Sequence, residues 1–147
     1  MTMDERDQRI LEELRRDAWR PLSAIARQLG LPRATVRERV ERMRRAGIIR
    51  GICALPGYEA LGLGTLAFVL VSFLPGTTSQ RALAQEIAKL PYVQEVHIIS
   101  GEYDILLKVR AASVEDVGRL VVDRLRALPG VGKTVTSLSF FTLKEEP

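Results

Sequence analysis

The fold is decided by the stretch LGLPRATVRERVERMRRAG at residues 29–47. Its first part closes an amphipathic segment, because Gly30 stands at the position after a helix where a left-handed conformation costs glycine little. The turn Leu31-Pro32 follows, and a second amphipathic segment then runs to Gly47. The apolar positions of the two segments recur at helical spacing; they are Leu22, Ile25, Ala26 and Leu29, then Val36, Val40 and Met43. Two helices joined by a short turn that contains glycine predict a helix-turn-helix, whose recognition helix runs from about Arg33 to Arg45.

The residues before this stretch predict one more helix. Asp4 is a capping residue, and Ile10, Leu11 and Leu14 share one face of the helix that follows it. The sequence Trp19-Arg20-Pro21 interrupts that helix, and we expect Trp19 to pack against the domain rather than stack on bases. Any small helical bundle fits the same apolar pattern, so charge is needed to choose between the two interpretations.

The recognition helix is strongly basic. Residues 33–45 contain six Arg and two Glu, and residues 1–50 contain 13 Arg, no Lys and eight acidic residues. The remaining 97 residues are close to neutral, with nine basic and ten acidic side chains. A helix that is basic only for solubility usually alternates Lys and Glu, so this pattern favours a nucleic-acid-binding module joined to a neutral one.

The segment after the recognition helix predicts a wing and then a linker. Residues 48–54 are rich in isoleucine and contain Gly51, which indicates a short strand or wing. Residues 56–62 are rich in turn-forming residues. We therefore predict a winged helix-turn-helix domain at residues 1–54, a linker at 55–64 and a second domain at 65–147.

The second domain shows an internal β-α-β repeat with matched Leu-Pro-x-Val corners at residues 90–93 and 128–131. The predicted order is strand 65–74, helix 79–90, strands 93–100 and 105–110, helix 113–128 and strand 134–143. This order predicts an α+β chain whose second domain is a ferredoxin-like βαββαβ sheet with both helices on one face. The first strand is apolar on both faces, so we expect the helix-free face to be buried against a second copy in an isologous dimer.

Composition limits the other classes of protein. Cys53 is the only cysteine, no signal peptide is visible, and no apolar run approaches the ~20 residues that span a bilayer, so we expect a cytoplasmic protein. One Cys and one His cannot build a metal site unaided. No phosphate-binding glycine loop or nucleophile elbow is visible either, so we predict no cofactor and no catalytic residue.

Three stretches carry a resemblance to a known family. They are Asp4-x-x-Asp7-x-x-Ile10-Leu11-x-x-Leu14, then Leu29-Gly30-Leu31-x-x-x-Thr35-Val36-x-x-Arg39-Val40-x-x-Met43-x-x-Ala46-Gly47-Ile48-Ile49, and finally Gly101-x-Tyr103-Asp104. In this order, over nearly the whole chain, they resemble the Lrp/AsnC family of feast/famine transcriptional regulators. The resemblance implies a DNA-binding regulator with a C-terminal RAM-type domain and homodimers, which in this family often assemble into octamers. It also implies an amino-acid effector, which many members bind. Pro32 departs from the Ser or Thr that family members usually carry there, so the recognition helix is expected to start within a residue or two of Arg33.

We predict that seven residues of the first domain contact double-stranded DNA. Arginine reads guanine with two N–H groups and glutamate accepts from cytosine, so residues near the start of the recognition helix are expected to face base edges. The other arginines are expected to contact phosphates. The base-facing set is Arg33, Thr35, Arg37 and Glu38, and the phosphate-facing set is Arg42, Arg45 and Arg50.

The resemblance places an effector site at the Gly-x-Tyr-Asp loop and the facing part of the last strand. The residues carried over are Ser100, Gly101, Glu102, Tyr103 and Asp104, together with Thr134, Thr136 and Ser137. Asp104 is expected to accept a hydrogen bond from the ammonium of the effector, and backbone N–H groups at Gly101 are expected to hold its carboxylate. Without the resemblance, the same loop is equally well interpreted as a simple hairpin turn.

Two other functions fit this layout. Siroheme decarboxylase resembles these regulators but relies on histidines near the wing and in the sheet, whereas this chain has only His97. The second alternative is an effector-binding protein of the same fold without a DNA role, and the six arginines of the recognition helix argue against it.

Overall fold

The computed structural model describes residues 2–76 and 78–145 of the chain. It divides the chain into two compact units, 1–54 and 55–147. Residues 55–64 group with the second unit, in which the Tyr58 ring stacks under the guanidinium of Arg110 at 4.1 Å. A separate linker over 55–64 stays a prediction. Within the described ranges, no helix is long and apolar enough to cross a membrane.

The first unit contains three helices, α1 at Glu5–Arg16, α2 at Leu22–Leu29 and α3 at Arg33–Arg45. The side chain of Asp4 caps α1 and forms a reciprocal capping box with Asp7, which satisfies two backbone N–H groups of the first turn. Gly30 ends α2 in the left-handed conformation at φ 64°, as its position in the sequence predicts. The recognition helix α3 starts at Arg33, directly after Pro32, which offers no side-chain cap.

The three helices share one apolar core. Its buried members come from one face of each helix; they are Ile10, Ile25, Ala26, Val36, Val40 and Met43. The apolar spacing of α3 is thereby confirmed. The arginines of α3 that are exposed to solvent include Arg33, Arg37, Arg44 and Arg45. Because isolated helices this short are marginal in water, the orientation of α3 depends on this shared core.

Two predictions for the first unit are wrong. Residues 50–54 form no strand, and the backbone N–H groups of Ile48 and Ile49 instead bond to the Met43 carbonyl and prolong the end of α3. A strand needs a neighbouring strand to pair its backbone groups, and the described part of this unit contains only helices. Trp19 does not pack, since its side chain is 92% exposed on the turn between α1 and α2.

The second unit contains a four-stranded antiparallel sheet with the order β2-β3-β1-β4. The strands are β1 at Thr65–Phe73, β2 at Val93–Ile98, β3 at Ile105–Ala111 and β4 at Val131–Leu138; the helices are α4 at Gln80–Ile87 and α5 at Val114–Arg119, which continues as a π-helical segment at Leu120–Leu125. The two β-α-β halves and the ferredoxin-like order are as the repeat predicts. The core lies between one sheet face and these helices, and includes Val69, Val71, Leu107 and Leu125.

The last strand differs from the predicted range of 134–143. Pairing begins earlier, because a register shift between Val71 and Phe73 brings Phe73 opposite Val131. The strand ends at Leu138, which lies opposite Ala67, and the Ser139 N–H still donates to the Leu66 carbonyl at 2.9 Å. The segment that follows β4 has three large apolar side chains in solvent, namely Phe140, Phe141 and Leu143.

The helix-free face of the sheet is apolar in one part and charged in another. Phe68 of β1 is 37% exposed there and Leu70 is half-buried. Its neighbour β3 places Lys108 and Arg110 on the same face, beside Phe68 and Leu66 in the register. The expectation of a continuous apolar face therefore holds for β1 but not for β3.

Candidate functional site

The exposed side of α3 carries the predicted base-facing residues. Arg33, Arg37 and Glu38 are exposed and Thr35 is half-buried. Within residues 2–76 and 78–145, the structure gives no hydrogen bond or ion pair to the side chains of Arg33, Arg37 or Glu38. Arg33 and Arg37 lie about one helical turn apart, and Glu38 directly follows Arg37. The buried Val36 and Val40 hold this surface, so the polar ends of these side chains are free to meet a ligand.

One predicted phosphate contact has an internal partner. Arg42 donates from Nη2 to both carboxylate oxygens of Asp7, each at 2.9 Å, while its side chain stays 46% exposed. Asp7 lies on α1 and is completely buried. The other predicted phosphate contacts, Arg45 and Arg50, are exposed and make no such pair among the described residues.

Arg39 completes an ion-pair cluster between α1 and α3. Its Nη1 donates to Oδ1 of Asp7 at 2.8 Å and to Oδ2 of Asp4 at 2.7 Å. The cluster is therefore balanced, with two carboxylates and two guanidinium groups. A buried carboxylate is tolerated only when it is paired in this way, so the cluster fixes α1 against α3.

The cluster changes the pKa of its members. Burial raises the pKa of Asp7, but hydrogen bonds from Arg39, the Asp4 backbone and Arg42 together outweigh burial and leave the pKa below its ordinary value. The hydrogen bond from Arg39 is the main cause of the lowered pKa of Asp4. The two carboxylates raise the pKa of Arg39 in turn. Asp4, Asp7 and Arg39 are therefore charged near neutral pH.

The sequence analysis missed the roles of Asp7, Arg39 and Glu13. Glu13 is a second buried carboxylate of α1, and it accepts hydrogen bonds from Arg16, Arg20 and Gln28. A signal was present for Asp7, because it lies three residues before Ile10 and so on the apolar face of α1. A charge on that face requires a partner, although the sequence does not say which one.

The predicted effector loop is the hairpin that connects β2 to β3. Ser100, Gly101 and Glu102 are exposed, and Gly101 has φ 126°, a conformation that other residues rarely adopt. Tyr103 is half-buried, with Nζ of Lys133 5.8 Å from its ring centre. The loop therefore lies beside the beginning of β4.

Asp104 ties this loop to β1. Its Oδ2 accepts the backbone N–H of Phe73 at 2.7 Å, and its own N–H donates to the Val71 carbonyl at 3.0 Å. The Gln80 amide lies 3.4 Å from Oδ1. One oxygen of Asp104 is thus occupied by the protein backbone, and Oδ1 is the more available one.

The three predicted polar residues of β4 do not share a face. Thr134 pairs with Val71 and Thr136 with Val69, so both lie on the helix-covered side, where Thr134 accepts from Arg126 at 2.9 Å. Ser137 pairs with Phe68 on the open side. Only Thr134 lies at the loop end of the strand. Within one chain, the structure does not bring Thr136 and Ser137 next to the loop, since each residue adds about 3.3 Å along a strand.

A second ion-pair cluster lies on the open face of the sheet. Glu145 binds Lys108 and Arg110, with 2.5 Å to Nη2 of Arg110, and Lys108 also donates to Glu95 at 3.2 Å. The pKa of Glu145 is lowered chiefly by Lys108, and the pKa of Lys108 is raised chiefly by Glu145. The cluster attaches the chain after β4 to its own sheet.

His97, the residue on which an enzymatic interpretation depends, lies on β2. Its side chain is 54% exposed, and Nε2 is 3.1 Å from Glu95. That hydrogen bond is the largest cause of the lowered pKa of Glu95. Among the described residues, no group of three or more His, Cys, Asp and Glu side chains is placed to hold a metal ion.

Comparison with known proteins agrees with both units. Residues 3–44 match the model of the AsnC-type helix-turn-helix domain, and residues 66–147 match the model of the Lrp/AsnC ligand binding domain. An uncharacterised HTH-type transcriptional regulator of Pyrococcus furiosus is 48% identical over 98% of this chain and 97% of its own length.

Two solved structures share the fold over nearly the whole chain. A transcriptional regulator of Neisseria meningitidis, in complex with L-methionine, has a TM-score of 0.93 and 26% identity, covering 99% of this chain and 94% of its own. A feast or famine regulatory protein of M. tuberculosis, also complexed with L-methionine, has a TM-score of 0.91 and 26% identity, covering 98% and 96%. With both domain models matched, this chain belongs to the Lrp/AsnC family of helix-turn-helix transcriptional regulators.

Proposed function

We propose that the protein is a sequence-specific DNA-binding transcriptional regulator that reads the major groove with α3. The observation that carries this proposal is the exposed set of Arg33, Arg37 and Glu38 on a helix whose other face is locked into a core. In the major groove, a guanidinium donates two hydrogen bonds to guanine and a carboxylate accepts one from cytosine. The half-buried Thr35 lies beside them and adds a hydroxyl that suits any base edge.

Phosphate contacts come from the arginines nearer the end of α3 and beyond it. The Arg42 side chain is partly exposed to solvent, and Arg45 and Arg50 are exposed. Phosphate contacts fix orientation and supply affinity for any sequence, whereas base contacts supply the specificity. The relatives are regulators, so we propose this role and not a catalytic one.

We propose that the active form is a homodimer built on the open face of the sheet, with octamers as a higher assembly. Phe68 and Leu70 on that face, and Phe140 and Phe141 after β4, are apolar side chains that a second copy would cover. A two-fold dimer presents two recognition helices, which suits two half-sites one helical turn of DNA apart.

We propose an amino acid as effector, bound at the hairpin loop 100–104. The related regulators of Neisseria meningitidis and M. tuberculosis were solved with L-methionine. The open backbone at Gly101 suits a carboxylate, and Oδ1 of Asp104 suits an ammonium. Because Thr136 and Ser137 lie away from the loop of their own chain, we propose that they approach the loop of a neighbouring copy.

Two measurements test the function. A mobility shift with duplexes recovered from a random pool should give a specific complex whose affinity falls by roughly 10³-fold between 50 and 200 mM salt, if a dimer makes about six phosphate contacts. In a thermal-shift screen of the twenty amino acids, one or a few of them should raise the melting temperature of the protein. Failure to select any sequence above background contradicts the DNA role, and no shift with any amino acid contradicts the effector class.

A further inference from the structure

We infer that Asp7 is a positioning residue for DNA binding, because its buried carboxylate orients the guanidinium of Arg42 toward a phosphate. This inference rests on the proposed DNA-binding function and deepens it. It concerns a residue of α1, a helix for which we predict no DNA contact.

The geometry leaves Arg42 half-engaged. A single nitrogen of Arg42, Nη2, donates to both carboxylate oxygens of Asp7 at 2.9 Å. The guanidinium carries five N–H donors in a rigid plane, so the donors on Nη1 and Nε remain for another partner. Asp7 is fully buried while the Arg42 side chain is 46% exposed, so the carboxylate of the pair lies inside the domain and the arginine reaches the surface.

Arg39 makes this arrangement stable. It donates to Asp7 and to Asp4 with its side chain only 16% exposed. Asp7 therefore has a second, less exposed partner beside Arg42. The N–H donors of Arg42 that do not bind Asp7 are left available to an anion at the surface.

Orientation in advance has a definite benefit for binding. A long side chain that is disordered in the free protein loses rotamer freedom when it docks on a phosphate. Asp7 imposes that order before DNA arrives, which strengthens binding by about 2- to 10-fold for one such side chain. Simple electrostatics predicts the opposite sign, because removing a negative charge from a DNA-binding unit strengthens binding to a polyanion.

The test compares Asp7→Asn with Glu13→Gln in the full-length chain. Both remove a buried carboxylate of α1, but Glu13 binds Arg16, Arg20 and Gln28 and no residue of α3. Affinity is measured for a selected duplex and for a scrambled one over a range of salt, with folding checked by circular dichroism. We expect Asp7→Asn to weaken binding to both duplexes by about 2- to 10-fold. Glu13→Gln should leave binding unchanged or strengthen it.

Two further readouts separate positioning from a merely structural role. Asp7→Asn should lower the slope of log affinity against log salt by about one, as the loss of one phosphate contact does. It should also add nothing to Arg42→Ala in the double variant, because both changes remove the same contact. The inference is overturned if Asp7→Asn folds and binds DNA as tightly as the wild type. It is also overturned if the loss of affinity in the double variant equals the product of the losses in Asp7→Asn and Arg42→Ala.

Another pair of variants covers the case in which Asp7→Asn does not fold. Arg42→Gln and Arg45→Gln each remove one charge from the last turn of α3, but Arg45 has no ion pair among the described residues. Because Arg42 is oriented in advance, Arg42→Gln should lower the affinity for DNA by about 2- to 10-fold more than Arg45→Gln does. Equal losses in the two variants overturn the inference. A wild-type chain that binds no DNA overturns the proposed function as well, whereas wild-type binding with unaltered variants overturns the inference alone.

Discussion

Replacing Arg37 by lysine separates base reading from general attraction to DNA. Arg37 is exposed and has no hydrogen bond or ion pair within the described residues, so the substitution should change the free energy of unfolding by no more than about 0.5 kcal/mol. Lysine keeps the positive charge but loses the planar fork that contacts two acceptors of guanine. The variant therefore changes the recognition chemistry without changing the charge.

The expected loss can be assigned to one contact. A bidentate contact to guanine discriminates by about 1–3 kcal/mol, so each half-site should lose roughly 5- to 150-fold in affinity for the selected sequence. Binding to scrambled DNA should not change, because it depends on phosphate contacts and net charge. A dimer that binds with both recognition helices should lose affinity for the selected sequence twice, once at each half-site.

The assay is a fluorescence-anisotropy titration of full-length protein at fixed salt. The two probes are a duplex selected by the wild type and a scrambled duplex of the same composition. Arg45→Lys is the matched control, since it makes the same substitution on the same helix at a predicted phosphate contact, and it should bind both probes like the wild type. Equal losses on both probes, or no loss on the selected probe, would refute the assignment of Arg37 to a base.

Three further outcomes are expected. The first unit should unfold in acid as the pH falls below about 4, the ordinary range of a carboxyl, since Asp4 and Asp7 have lowered pKa values when folded and so stabilise the fold only while ionised; the same acid transition by circular dichroism in wild type and Asp7→Asn would contradict this. Met43→Ala should cost about 2–5 kcal/mol in urea denaturation because Met43 is fully buried, and a cost under 1 kcal/mol would show that the core tolerates the cavity. Asp104→Ala should cost about 1–3 kcal/mol because the N–H of Phe73 loses its acceptor, and an amino-acid thermal shift that persists in this variant would remove Asp104 from the effector site.

Local signals in the sequence were sufficient for most of the first unit. The left-handed Gly30 and the spacing of Val36, Val40 and Met43 depend only on residues close in the chain, and both are confirmed. The prediction of a wing over 48–54 was wrong because a strand needs a second strand to pair with, and β-branched residues alone do not supply one. Ile48 and Ile49 instead bury part of their surface against the helical core.

Interactions between distant residues were harder to predict. The contacts of Asp7 with Arg39 and Arg42 join residues 32 and 35 positions apart, and with 13 arginines in the first 50 residues no pairing could be selected from sequence. The true start of β4 depends on a register shift opposite Ser72, which leaves no clear sequence signal. By contrast, the alternation of side chains along a strand would have shown that Thr136 and Ser137 point to opposite faces.

The prolines that precede α2 and α3 have a consequence for the unfolded chain. Pro21 and Pro32 occupy the two N-cap positions with φ near −60°, and neither helix has a side-chain cap. A missing cap costs about 0.5–2 kcal/mol, but a proline whose ring already has the native φ stabilises by about 0.4–1 kcal/mol, because it reduces the conformational entropy of the unfolded ensemble. The two effects are of similar size. Replacing Pro32 by serine should therefore leave the melting temperature nearly unchanged, while the unfolded chain gains conformational entropy.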